Sequence, residues 1–224
     1  MCPPSDLTTT NASHPFLDIS SIVPQTPISQ AAYTHAATLL HPSILNHSMR
    51  VYIYAKVLAS HASSKYAIDA SQHDLLFTAC LFHDIGTTEQ YNGPQRFEVE
   101  GADAAVAYLA KYGIEGNDAH EVWTAIACHT SPGIAERIGE LARFVRIAVV
   151  TDFGRRREEW EVLEPWRELL EKQFERGGIE KVLGDAVVEQ TKRRPQKAPM
   201  VSWPQAMLKA WEVEPGWEGV NKAF

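Results

Sequence analysis

The sequence predicts an all-α protein. Three observations lead there: apolar residues recur at three- and four-residue intervals along most of the chain, those stripes are bounded by helix-starting and helix-stopping residues, and no alternating pattern is strong enough for a strand. No internal repeat divides the 224 residues, so one domain is expected, with its 45% hydrophobic content as an ordinary core. The expected organisation is an extended N-terminal arm over residues 1–25, rich in Ser, Thr and Pro, followed by one helical domain over residues 26–224 that ends in a helical extension.

Taken in order, the first helix opens at Thr26-Pro27-Ile28-Ser29, with proline in its first turn, and runs to about Leu40. His41-Pro42 separates it from a second helix over about 43–62. There Ile44, Val51, Tyr54, Ala55 and Leu58 form an apolar stripe, and His47 shares that face. A third helix starts near Ser71, carries Leu76, Ala79 and Cys80, and ends at His83-Asp84 with Gly86 as its stop. Adjacent helical side chains diverge by about 100°, so His83 and Asp84 reach one ion only if this last turn loosens.

An alanine-rich helix follows Phe97 and ends near Tyr112-Gly113, its small residues suiting close packing. The helix from about Asn117 presents Val122, Ile126 and His129 on one face before Ser131-Pro132-Gly133. The next carries Ile138, Leu141, Val145 and Ala148 and closes on Asp152. Charged amphipathic helices are expected over about 161–176 and 179–194. Near the end, Trp203, Trp211 and Trp217 read as packing anchors, with a pocket wall as the lesser expectation.

Composition narrows the function. A net charge of -7 argues against nucleic acid or an anionic membrane as the main partner and leaves a small-molecule substrate. Three widely spaced cysteines, without a CxxC pair, argue against a disulfide framework or a thiolate zinc cluster. No signal-peptide pattern and no membrane-length apolar run is present, so a cytoplasmic protein is expected. The tryptophan-rich tail is a candidate homodimer contact.

His47, His83, Asp84 and Asp152 each end or interrupt an apolar stripe, and they come from three helices. Burying one of these groups without a partner costs on the order of several kcal/mol. A shared metal ion removes that cost. Two imidazoles and two carboxylates suit zinc, iron or manganese better than calcium or magnesium.

The same residues, His47, His83-Asp84 and Asp152, match the H…HD…D signature of HD-domain proteins, and the chain resembles that superfamily of helical metal-dependent enzymes. Within it, Asn46-His47-Ser48-Met49-Arg50-Val51, the run from His83 to Glu89, Cys128-His129-Thr130 and Gly216-Trp217 to Asn221 resemble the fungal cyanamide hydratases. The resemblance implies one zinc ion on His47, His83, Asp84 and Asp152, with Fe2+ or Mn2+ less favoured. The implied reaction is that of a hydro-lyase, hydration of the nitrile of cyanamide to urea. A metal-activated water suits such a poor electrophile.

His129 is then expected as a proton-transfer or substrate-binding residue, with a fifth-ligand or supporting role as the alternative. Glu89 is expected to orient the water or the substrate amine as general base. The competing function is an HD-type phosphohydrolase acting on a nucleotide or phosphomonoester. Many of those carry lysine where this chain has Thr87, and loss of that cation weakens the phosphate case. A third expectation is a non-catalytic module that keeps the metal structurally.

Overall fold

Thr26 starts the first helix through its hydroxyl, which accepts from the Ser29 amide at 3.1 Å, while Pro27 takes the first helical position, where no amide hydrogen is needed. This helix, α1 (Pro27–Leu39), is one of a set that the computed structural model describes over residues 22–155 and 158–223. Of the expected N-terminal arm only residues 22–25 are described, with Ile22 and Val23 buried in the core; the rest lies outside the described residues.

The second helix, α2 (Pro42–His61), begins where His41 accepts from the Ser43 amide at 3.2 Å. Residues 47–55 are buried without interruption, so α2 is a central helix rather than a surface one. The third, α3 (Ala70–Phe82), is likewise buried from Asp74 to Phe82. Asp74 ties α1 to α3: its Oδ1 accepts from the hydroxyls of both Thr26 and Ser29, the latter at 2.6 Å.

A hairpin of α4 (Phe97–Ala110) and α5 (Gly116–Ala127) covers one side of α3, and α6 (Glu140–Asp152) packs along α2. The last elements are α7 (Arg167–Gln173), α8 (Ile179–Arg193) and α9 (Trp203–Val213). The single helix expected over 161–176 is broken: Trp160–Leu163 and α7 are separated by a 3-10 turn, Glu164–Trp166. Pro165 explains the break, since it has no amide hydrogen for a helical bond. Among the described residues no strand occurs, and no helix is long and apolar enough to cross a membrane.

Gly86 has a different task from the expected helix stop. The helix has already ended at Phe82, and Gly86 lies in a 3-10 turn, Ile85–Thr87, without a left-handed backbone. A Cβ placed on it would fall 2.0 Å from the Phe97 carbonyl oxygen and 2.8 Å from the Gly101 amide nitrogen, so glycine is needed for backbone to meet backbone. Gly86→Ala is therefore expected to cost about 1–3 kcal/mol, read as a lower urea midpoint, because rigid backbone rather than a side chain must yield.

The tail packs inward. Trp217 is buried on α8 beside Gly184, whose absent side chain leaves room for the ring, and its Nε1 donates to Asp185 at 3.2 Å. Trp203 is buried and Trp211 half-buried against the same core, so Trp203 and Trp217 are packing residues.

Candidate metal centre

The buried helices deliver their polar residues to one place. His47 projects from the middle of α2, and His83 and Asp84 follow the end of α3, where the chain leaves α-helical geometry at Asp84 (φ -107°, ψ 3°). The last turn thus loosens as adjacent ligands require. One nitrogen or oxygen from each of His47, His83 and Asp84 lies within 4.8 Å of the others. The His47 and His83 Nε2 atoms are 3.1 Å apart, and Oδ2 of Asp84 lies 3.2 Å from Nε2 of His83 and 3.7 Å from that of His47.

Proton placement shows what the cluster lacks. Nδ1 of His83 is 2.7 Å from the Cys80 carbonyl, and Nδ1 of His129 is 2.7 Å from the Ile126 carbonyl. A carbonyl only accepts, so both Nδ1 atoms carry hydrogen. Nδ1 of His47 likewise donates to the Asp152 carboxylate at 2.7 Å. In their neutral forms all three rings therefore point Nε2 lone pairs at Asp84, with His129 Nε2 at 3.6 Å from its Oδ1. Both Asp84 oxygens are buried without a hydrogen-bond donor.

A carboxylate facing imidazole lone pairs in a dry interior calls for a cation, and the donor set fits a transition metal. The titration tendencies agree. Burial alone raises the Asp84 pKa, but the neighbouring His83, His129 and His47 together outweigh it and hold the carboxyl far below its usual range. Burial lowers the His83 pKa, but Asp84 beside it reverses that and raises it, whereas His47 stays lowered by burial despite Asp152. Protons and a metal ion compete for these same lone pairs.

Asp152, expected as a ligand, ends α6 on the far side of the His47 ring. Its carboxylate accepts the His47 Nδ1 proton and a two-pronged contact from Arg50, Nε to Oδ1 at 2.6 Å and Nη2 to Oδ2 at 2.8 Å. In this arrangement it fixes the ring that presents Nε2 to the cluster. Arg50 is itself fully buried and also donates to the Phe174 carbonyl at 2.7 Å.

The sequence pattern that defines the HD domain matches residues 44–154. Residues 44–154 are an HD domain. No curated protein sequence matches the chain. HD domains are generally metal-dependent hydrolases, and the buried His/Asp cluster is a candidate site for their divalent metal.

A small cavity of about 10 Å3 opens on the HD domain's cluster, lined by His47, Asp84, His129 and Thr130 and walled by Val149, Phe153, Leu183 and Trp203. His129 thus lies beside the cluster, as expected. Glu89 does not. Its side chain is 72% exposed, held by Arg193 at 2.8 Å and Asn92 at 3.3 Å, and the expected general-base position is not where it lies. The reason is the second 3-10 turn, Glu89–Tyr91, which carries the residue to the surface towards the C-terminal end of α8.

Residues missed from sequence include Glu98, fully buried and bonded by Arg96 at 2.5 Å and by the Thr130 hydroxyl at 2.6 Å. Glu98 directly follows the first residue of α4 and faces inward; only its fall in the first turn of a mostly apolar helix hinted at that. Thr87 is not at the cavity wall; its hydroxyl donates to the Asp84 carbonyl at 2.6 Å and steadies the ligand turn. Burial raises the pKa of both Cys80 and Cys128, which disfavours either thiol as a nucleophile.

Proposed function

We propose that this protein is a zinc-dependent hydratase that adds water to the nitrile of cyanamide, or of a similarly small nitrile, to give urea or its analogue. The single observation that carries this reading is the cavity on the cluster: about 10 Å3, with four apolar walls and, among the described residues, no lysine or arginine in its lining. So narrow a space suits a small reactant rather than a bulky one, and apolar walls favour an uncharged one. Transfer of a phosphoryl group relies on cations around the phosphate, and this lining supplies none.

His47, His83 and Asp84 would hold the metal, with Asp152 and Arg50 fixing His47 from its Nδ1 side. A fourth-ligand role for Asp152 requires its carboxylate to leave that nitrogen. When bound, such a metal would supply Lewis acidity that activates water at neutral pH. Nε2 of His129 accepts the water's proton and returns it to the nitrile nitrogen, which gives isourea; transfer of the remaining hydroxyl proton from oxygen to that nitrogen then gives urea, with no atom left over. The Ile126 carbonyl keeps Nδ1 of that ring protonated, which leaves Nε2 free to act as the base.

Zinc is favoured over iron or manganese by the absence of any redox step and by the imidazole and carboxylate donors. The HD match by itself also supports a phosphohydrolase, and one panel separates the two. Zinc-loaded protein is offered small nitriles and, in parallel, nucleotides and phosphomonoesters. Urea or amide formation without phosphate release is the expected outcome; phosphate release with inert nitriles would reverse the assignment.

A further inference from the structure

Two of the four apolar walls of the metal cavity lie outside the HD domain. Leu183 comes from the first half of α8 and is buried, and Trp203 is the first residue of α9, with only 9% of its surface exposed. Val149 and Phe153, the other two, belong to α6 and the turn after it. The HD domain therefore makes the metal cluster, and the C-terminal helices finish the space in front of it.

Trp203 is held in place by a set of local contacts. The Ser202 hydroxyl caps α9 by accepting from the Gln205 amide at 3.3 Å, and the Gln205 side-chain oxygen accepts from the Val201 amide at 2.9 Å. Val201 has φ +62°, a left-handed conformation that is unfavourable for a β-branched residue, and its side chain is 97% exposed. Burial of Val201 does not account for that backbone, which lies two residues before Trp203. The Trp203 ring reaches Phe97 at 5.9 Å between centroids, and Phe97 in turn meets the His129 ring at 5.7 Å.

We propose that Trp203 and Leu183 form the size filter of the site and decide which molecules reach the metal. The space they border is narrow, so a bulky ligand must push a wall aside, and the indole and isobutyl groups are what it meets from the C-terminal side. Phe153 and Val149 lie in and directly after the central helix α6 and have little room to yield. Shortening Trp203 or Leu183 enlarges the space without touching a metal-binding group.

This inference rests on the metal-site reading above, and its test is built to fail separately from the hydratase assignment. Protein loaded with cobalt(II) is titrated with formate and with benzoate, and binding is followed by the visible absorption of the metal. Wild-type protein is expected to bind formate well and benzoate poorly. Trp203→Ala and Leu183→Ala should each raise benzoate affinity relative to formate by at least about tenfold, the effect of opening an apolar pocket. Trp203→Phe should fall between.

An unchanged ratio in folded, cobalt-loaded variants overturns the filter, as does equal binding of the two anions by wild type. If Trp203→Ala does not fold, Leu183→Ala decides alone. Urea formation from cyanamide is scored beside the titrations. Size-selective anion binding without urea sinks the hydratase assignment and keeps the filter, whereas urea formation with unchanged ratios in the variants does the reverse.

Discussion

Asp84→Asn removes bound metal while the fold survives. Asparagine keeps the shape of the side chain but loses the charge on which three imidazole lone pairs converge, and neither Asp84 oxygen takes part in a hydrogen bond that holds the fold. Loss of a ligand should lower metal affinity beyond the roughly 10–100-fold that outer-shell substitutions cause. Metal content of the purified variant, measured beside its urea midpoint, checks both halves. The His83→Ala variant should lose metal in the same way. Retention of wild-type metal content by either variant would place the ion elsewhere.

Arg50→Ala destabilises the protein by about 3–5 kcal/mol, the range for breaking a buried ion pair by removing one partner. Asp152 keeps its burial but loses both prongs of its contact, and the Phe174 carbonyl loses a donor as well. Arg50→Lys rescues little, because one ammonium cannot reproduce a two-pronged contact. Urea denaturation of the two variants measures the cost.

The same pair has a signature in acid. Burial by itself raises the Asp152 pKa, but Arg50 and then His47 outweigh it and hold the carboxyl well below the usual range. Its stabilising contribution is therefore complete above the unfolded-chain value of about 3.9 and is lost as pH falls from there towards the depressed folded value. Arg50→Ala should show a flatter loss of stability over that acid range than wild type does.

Two helix starts were legible from their caps, whereas those capped by Ser64 and Ser202 were not. Thr26-Pro27 and His41-Pro42 start α1 and α2 where the sequence indicates, because proline at the first position and an acceptor just before it act locally. His47, His83, Asp84 and His129 were legible because each is a polar interruption in an apolar stripe, and the fold brings all four together. Arg50 carried the same signal. It falls three residues after His47 on the same face, and its buried position follows from that spacing once Asp152 is seen to need a partner.

Other features depend on contacts that no local pattern encodes. Glu89 sits six residues after His83, close in sequence to the ligands, yet two 3-10 turns carry it out to Arg193. Gly86 resembles a helix stop in sequence, and only the approach of Phe97 and Gly101 reveals its packing role. Leu183 and Trp203 meet the cavity through tertiary packing of α8 and α9, far along the chain from the ligands. Trp203 shows that its lesser expected role, a pocket wall, coexists with packing.

Metal-dependent hydration is measured as the initial rate of urea formation from cyanamide. Zinc-loaded protein should form urea at a rate that saturates with cyanamide, falls to background after chelation and returns when zinc is restored. No urea at saturating cyanamide, from folded protein carrying its full complement of zinc, would contradict the claim.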